Sequence, residues 1–166
     1  MSIIDDALKA NETYARNFTH ASLPIPPGKK LAVIACMDAR MTIEPMLGLS
    51  TGDAHVIRNA GGIATDDAIR SLLISHYLLG TREFMVINHT ECGMLSFKDA
   101  DLVDRLERET GVMAVAPRHF DAFDNLERNV RRQVSRITAH PWIPKDIAVR
   151  GFIFDVKSGK LNEVKG

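Results

Sequence analysis

The spacing of apolar positions changes from one segment to the next, and the segments predict an α/β fold. A short, continuous apolar run at residues 31–35 is typical of a strand buried on both faces, and further strands are predicted at 83–88 and 147–156. A further strand lies within 54–62 and ends in a glycine-rich turn. After "KSGK", the short segment "LNEV" is predicted to pair back as a hairpin.

Between these runs, apolar residues recur at steps of three and four, which predicts helices. One helix spans 3–18, where Ser2 and Asp5 form a capping signal. Another begins after the cap Thr65 and stops at Gly80, and a third spans 120–137. Strands that alternate with helices imply a mainly parallel central sheet flanked by helices.

The first helix is set apart from the rest by "LPIPPGKK" at 23–30, whose prolines favour an extended connector. We therefore expect one domain over 1–166, in which 1–30 form an N-terminal helical arm and a Pro-rich connector. The length of 166 residues and the 45% hydrophobic content suit one domain with a sizeable core.

Charge and targeting signals narrow the class of protein. Lysine plus arginine and aspartate plus glutamate number 21 each, so no basic excess favours nucleic acid or an acidic membrane surface. The basic residues Arg128, Arg131, Arg132 and Arg136 of the third helix are interpreted as a solvated face or a subunit contact. No secretory signal and no spanning run of ~20 apolar residues is evident. We expect a cytoplasmic protein.

The two cysteines, Cys36 and Cys92, allow three interpretations: a disulfide, two unrelated buried thiols, or two metal ligands. A reducing cytosol disfavours the disulfide. Cys36 ends the first strand, His89 directly follows the third, and Cys92 comes three residues later. If both strands are parallel and central, all three side chains gather at one edge of the sheet. Two thiolates and an imidazole suit Zn²⁺, with a fourth coordination position open for chemistry.

Asp38 and Arg40 follow Cys36 closely in "CMDAR". The aspartate could be a fourth zinc ligand in a closed state, or could orient a zinc-bound water. The arginine could pair with the carboxylate and keep it ionised. Gly61 and Gly62 are interpreted as a turn that lets the backbone approach the site and line a substrate pocket, since no phosphate-binding glycine motif is present.

"CMDAR" and "HTECG", with "RNAGG" between them, resemble the motifs of the β-class carbonic anhydrases, whose pattern is C-x-D-S-R followed by H-x-x-C-G. The resemblance covers residues 31–160. It implies that Cys36, His89 and Cys92 bind zinc and that Asp38 and Arg40 form the catalytic dyad. It also implies a homodimer or higher homo-oligomer in which the N-terminal helix grips the partner. Ala39 departs from the pattern, because the family has a serine there.

The resemblance implies reversible hydration of carbon dioxide to bicarbonate by zinc-bound hydroxide. It is strongest to a small bacterial branch that also resembles carbonyl sulfide hydrolases, so hydrolysis of carbonyl sulfide or a similar heteroallene is an alternative. A non-enzymatic zinc-stabilised binding or sensing module is a third. A cysteine-nucleophile hydrolase would leave Cys92 without a role, and Thr42 stands where a C-x5-R phosphatase loop needs arginine.

The remaining histidines and the tryptophan are given structural interpretations. His55 and His76 are expected to be structural, and His20, His119 and His140 to lie on the surface or in loops. Trp142, beside prolines, is expected to be a packing residue.

Overall fold

A computed structural model describes residues 2–113, 116–117 and 119–165. Within these residues the chain forms a five-stranded sheet of order β2-β1-β3-β4-β5. The strands are β1 (Leu31–Cys36), β2 (Ala54–Asn59), β3 (Glu83–His89), β4 (Ala148–Phe154) and β5 (Leu161–Val164). The pairs β1–β2, β1–β3 and β3–β4 are parallel, and β4–β5 is antiparallel. The predicted mainly parallel sheet and the final hairpin are confirmed.

In the described part of the chain, five α-helices accompany the sheet: α1 (Ile3–Arg16), α2 (Ile43–Leu47), α3 (Asp66–Tyr77), α4 (Asp99–Thr110) and α5 (Leu126–Ala139). The predicted capping box of α1 is present, because the Ser2 hydroxyl accepts from Asp5 N–H and the Asp5 carboxylate accepts from Ser2 N–H. Thr65 caps α3 as expected, accepting from the backbone N–H of Ala68.

The prediction for the helix over 120–137 was wrong at its start. Residues 120–125 are not helical, and α5 begins only after Asn125, whose side chain accepts from Arg128 N–H. The physical reason lies in Asp99, whose carboxylate accepts the backbone N–H groups of Phe120, Asp121 and Ala122. These hydrogen bonds hold the segment as a loop, and the apolar positions at 120 and 123 only continue the helical spacing by coincidence.

The core lies on both faces of the sheet, as the continuous apolar run of β1 predicts. Ala32 and Ile34 pack on one face with Ile69 and Leu72 of α3, while Val33 and Ala35 pack on the other face. Helix α5 lies against β3 and β4. It approaches β4 most closely at Gly151, where an added Cβ would overlap Val130 and lie 3.0 Å from Val134 Cγ2. Only a residue without a side chain fits there.

Helix α1 is the exception to this packing. None of its residues is buried in the described chain, and Ile3, Ile4 and Leu8 are 82%, 69% and 63% exposed. The rest of the described chain therefore leaves the apolar stripe of α1 uncovered, which fits the expected arm. The division of 1–166 into one domain with such an arm stays a prediction. No helix among the described residues is long and apolar enough to cross a membrane.

Candidate active site

The site forms where two neighbouring parallel strands end. Cys36 is the last residue of β1 and His89 is the last residue of β3, and β1 pairs directly with β3. Cys92 follows after a tight turn, immediately before a 3₁₀ turn at Gly93–Leu95. The two sulfurs and one imidazole nitrogen lie within 4.8 Å of one another. The predicted gathering of these side chains at one sheet edge is therefore present.

The imidazole of His89 is completely buried, and its two nitrogens have different surroundings. Nδ1 lies 2.8 Å from the carbonyl oxygen of Thr90, a contact that places the proton on Nδ1 and leaves a lone pair on Nε2. Nε2 has no hydrogen-bond partner among the described residues. A buried polar atom without a partner is costly, so this lone pair fits a ligand to a metal ion.

The cysteines complete a donor set of suitable size. Cys36 Sγ lies 4.0 Å from Cys92 Sγ, and both side chains are buried. Zn–S bonds of about 2.3 Å in a tetrahedral site would separate two sulfurs by about 3.8 Å. The contact between the thiols lowers the pKa of Cys36 and raises that of Cys92, because they share one proton. The residues present therefore fit a tetrahedral metal ion with one position left over.

Asp38 and Arg40 form a bidentate ion pair beside this cluster. Arg40 Nε donates to Asp38 Oδ1 at 2.9 Å, and Arg40 Nη2 donates to Oδ2 at 2.8 Å. The same Oδ2 lies 3.6 Å from His89 Nε2, so the carboxylate borders the space in front of the unpartnered nitrogen. These hydrogen bonds hold the pKa of Asp38 well below its usual range. Asp38 is an ionised acceptor in a fixed orientation.

The glycine turn lies directly behind Cys36. Gly61 and Gly62 have φ angles of 82° and 61°, a conformation that favours glycine. A Cβ at Gly62 would lie 3.0 Å from Cys36 N and 2.8 Å from Asn88 Nδ2. The turn thus brings its backbone close to Cys36, while its predicted contact with substrate stays a prediction.

Comparison with known proteins agrees with this geometry. Residues 31–161 match the family model described as carbonic anhydrase. The chain is 47% identical over 165 residues to β-carbonic anhydrase 1 of Mycobacterium tuberculosis, covering 99% of both proteins. The chain belongs to the β-carbonic anhydrase family. The predicted membership and the predicted class of enzyme, a carbonic anhydrase lyase, are confirmed.

Two further relatives are a carbonic anhydrase of known structure and an enzyme with a different substrate. The crystal structure of a carbonic anhydrase from Streptococcus mutans superposes with a TM-score of 0.93 at 42% identity, covering 99% of each chain. A carbon disulfide hydrolase of Acidithiobacillus thiooxidans is 35% identical over 169 residues, covering 90% of this chain and 84% of that protein. The predicted relation to hydrolases of sulfur-containing heteroallenes thus has a counterpart in a carbon disulfide enzyme.

Two residues of this carbonic anhydrase site were not identified from the sequence. Arg58 of β2 donates to the carbonyl oxygens of Cys36, at 3.0 Å, and Asp38, at 2.6 Å. Glu91 lies between Arg40 Nη1, at 3.5 Å, and Lys157 Nζ, at 2.8 Å. Both stand inside motifs that were recognised, "RNAGG" and "HTECG". Their roles depend on contacts between separate loops, which spacing in the sequence does not reveal.

The other histidines are not part of the cluster formed by Cys36, His89 and Cys92. His55 Nδ1 contacts Ser75 Oγ at 2.7 Å, and His76 Nδ1 contacts the carbonyl oxygen of Thr81 at 2.8 Å, in agreement with structural roles. His20 and His119 are exposed, and His140 is half-buried. The four arginines of α5 are exposed in this chain: Arg128, Arg131, Arg132 and Arg136.

The expectation for Trp142 was wrong within this chain. Its side chain is 69% exposed and lies edge-to-face against the His140 ring, with ring centroids 5.8 Å apart. Its carbonyl oxygen accepts from the Tyr77 hydroxyl at 2.8 Å. The neighbouring prolines direct the backbone into a turn after α5 and leave the indole outside the core.

Proposed function

We propose that this protein binds Zn²⁺ through Cys36, His89 and Cys92 and hydrates carbon dioxide reversibly to bicarbonate. The observation that carries the proposal is the buried Nε2 of His89, which has no partner among the described residues and lies beside two sulfurs and the Asp38 carboxylate. Two soft thiolates and an imidazole favour zinc over the harder divalent ions.

Bound zinc would supply Lewis acidity that activates a water molecule for attack on the carbon atom of carbon dioxide. Asp38 would accept a hydrogen bond from that water and so direct an oxygen lone pair toward the substrate. For this role the carboxylate must stay ionised, which its depressed pKa ensures. Asp38 could also become the fourth ligand in a closed state.

Arg40 keeps Asp38 in place during this reaction. Its guanidinium holds both carboxylate oxygens, and it also donates from Nη2 to the carbonyl oxygen of Glu91 at 3.3 Å. A guanidinium anchored at two loops restricts rotation of the carboxylate, so the acceptor oxygen is preorganised. Gly61 and Gly62 would form the wall of the substrate pocket beside Cys36. Ala39 changes none of these contacts, since the hydrogen bonds between Arg40 and Asp38 use no atom of residue 39.

The test combines metal analysis with a stopped-flow assay of carbon dioxide hydration from pH 7 to pH 9. We expect about one zinc per chain and clear acceleration over buffer. Stoichiometric zinc without acceleration at any of these pH values would refute the proposed reaction. Absence of zinc after expression in zinc-supplemented medium would refute the proposed metal centre.

A second substrate deserves a separate assay, because a carbon disulfide hydrolase is 35% identical to this chain. Carbonyl sulfide and carbon disulfide are linear heteroallenes like carbon dioxide, and the same residues could direct water to their carbon atoms. We expect sulfide release from these substrates to be slower than carbon dioxide hydration. Sulfide release at a higher kcat/KM than hydration would make heteroallene hydrolysis the function.

We also propose that the protein is a cytoplasmic homodimer or higher homo-oligomer. The exposed apolar residues of α1, Ile3, Ile4 and Leu8, support association through the arm. The two free thiols support a reducing compartment, because their function as ligands requires that they stay reduced. Light scattering of wild type and Leu8→Glu checks the assembly: we expect a smaller particle for the variant, and an unchanged mass would exclude α1 from the contact.

A further inference from the structure

Three buried amide side chains connect helix α5 with the strand that ends at His89. Asn88 precedes His89 on β3, and Asn129 and Gln133 lie one turn apart on α5. Their exposed fractions are 0%, 3% and 0%. Buried amides are costly unless their hydrogen bonds are made, so such a group on one helix and one strand needs a physical explanation.

The amides form a continuous, directed chain of hydrogen bonds. Ala64 N donates to Gln133 Oε1 at 3.1 Å, and Gln133 Nε2 donates to Asn129 Oδ1 at 2.8 Å. Asn129 Nδ2 then donates to Asn88 Oδ1 at 2.7 Å, and Asn88 Nδ2 donates to the carbonyl oxygen of Gly62 at 3.3 Å. The chain leaves the 59–64 turn at Ala64 and returns to it at Gly62.

The two backbone ends determine the direction of the whole chain. A backbone N–H can only donate, so Gln133 must present its oxygen to Ala64. The carbonyl of Gly62 can only accept, so Asn88 must present its NH₂ group there. Each amide between them then has one possible orientation. Loss of any member therefore leaves a buried donor or acceptor without a partner and removes a connection between α5 and the turn.

The turn held in this way is the one that contacts Cys36. Its other side is fixed by Asn59, whose side chain donates to Ile63 O and accepts from Ile63 N, both at 2.8 Å. Gly62 packs directly on the backbone of Cys36, because a Cβ at Gly62 would lie only 3.0 Å from Cys36 N. Displacement of the turn would therefore shift the backbone that carries the Cys36 sulfur.

We propose that Asn88, Asn129 and Gln133 are positioning residues of the metal centre: their directed amide chain fixes the Gly61–Gly62 turn against the backbone of Cys36 and thereby maintains metal affinity. The inference rests on the proposed zinc site. It extends the site through the sheet to helix α5, in which Asn129 and Gln133 contact neither the ligands nor the dyad in any hydrogen bond described above. Groups that hydrogen-bond to metal ligands or orient them commonly change metal affinity by about 10- to 100-fold when removed.

The experiment compares the full-length proteins carrying Gln133→Met and Asn129→Leu, two substitutions that retain size and remove the hydrogen bonds. Zinc affinity is measured by competition with a chromophoric chelator at one pH, at a temperature well below each unfolding transition. The absorption spectrum of the cobalt(II)-substituted proteins reports on the thiolate ligands. We expect both variants to bind zinc about 10- to 100-fold more weakly than wild type and to show a shifted cobalt spectrum.

Ile137→Ala is the matched control, because Ile137 is fully buried on the same helix in the cluster that does not contain the cysteines. It should lower the melting temperature and leave zinc affinity within about twofold of wild type. Wild-type affinity and a wild-type cobalt spectrum in a folded Gln133→Met or Asn129→Leu protein would overturn the inference. Failure of the wild-type protein itself to bind zinc would instead refute the proposed function.

Discussion

The two ends of the parallel sheet both carry buried histidines, and they differ in how the polar atoms are satisfied. At the amino end, Ser75 Oγ lies between His55 Nδ1, at 2.7 Å, and Thr81 Oγ1, at 2.6 Å. His76 Nδ1 contacts the carbonyl oxygen of Thr81. At the carboxyl end, His89 Nε2 is the one buried side-chain nitrogen or oxygen without a partner among the residues that the structure describes.

This difference separates a polar cluster that stabilises the fold from one prepared for a ligand. Hydroxyls and imidazoles at the amino end act as donor and acceptor toward each other, so their desolvation is compensated within the chain. At the carboxyl end, two sulfurs and an imidazole nitrogen are electron-pair donors directed at one small space, beside a carboxylate that is already paired with Arg40. Such a set is compensated only when a cation or a proton is added.

The largest expected effect is that of His89→Ala, which removes the unpartnered nitrogen. We expect zinc content to fall from about one per chain to background, since two sulfurs cannot hold a tetrahedral site alone. Carbon dioxide hydration should disappear with the metal. The matched variant at the other end, His76→Ala, should melt at a lower temperature and keep both zinc and activity. Stoichiometric zinc in His89→Ala would contradict the distinction between the two ends.

The next effect is that of Asp38→Asn, which keeps the size of the side chain and removes its charge. We expect kcat/KM for carbon dioxide to fall about 10²- to 10⁴-fold while zinc stays bound, because the amide cannot replace an ionised acceptor. Asp67→Asn, on the exposed start of α3, is the control and should be indistinguishable from wild type. Equal activity of Asp38→Asn and wild type would show that Asp38 does not orient the attacking water.

A third, smaller effect concerns Ser75→Ala at the amino end. The hydroxyl of Ser75 is 3% exposed and serves two neighbours, so its removal leaves His55 and Thr81 short of a partner. We expect the free energy of unfolding to fall by about 1–3 kcal/mol, measured by urea denaturation. Activity per bound zinc should stay within about twofold. The nearby Ser71→Ala, on the exposed side of α3, should change stability by less than about 0.5 kcal/mol.

The smallest expected effect is that of Glu91→Gln, which breaks two exposed ion pairs beside the site. Asp38 retains Arg40 through bonds of 2.9 and 2.8 Å, so we expect kcat/KM to change less than about threefold. The difference from wild type should vanish in about 1 M salt, where exposed charges are screened. A loss as large as that of Asp38→Asn would show that Glu91 belongs to the dyad.

The parts of the fold that could be predicted are those with a strong local signal. β1, β3 and the β4–β5 hairpin follow from continuous apolar runs and the "KSGK" turn, and α1 follows from its capping box. Helices α2 and α4 gave no comparable signal: α2 has five residues, and α4 is charged on most of its surface and buries none of its described residues. The position of α4 depends instead on a long-range contact, in which the carboxylate of Asp99, its first residue, accepts backbone N–H groups of the 120–122 loop.

The candidate site shows the same division. Cys36, His89 and Cys92 could be placed together because parallel strands bring their carboxyl ends to one edge. Asn129 and Gln133 could not, because in the sequence they are polar positions of an amphipathic helix and read as surface. Only the packing of α5 on β3 shows that both amides face inward, where Asn129 contacts Asn88 and Gln133 contacts Asn129.

The absence of a side chain at Gly151 has a consequence for how this protein can vary. Gly151 lets α5 lie close to β4. An added Cβ at this position would overlap Val130, which directly follows Asn129 on the helix. A larger residue at 151 would move α5 outward and lengthen the 2.7 Å bond from Asn129 to Asn88. Gly151 takes no part in the chemistry. Substitutions there would nevertheless be limited, because the position of the Cys36 sulfur on β1 depends on the position of α5.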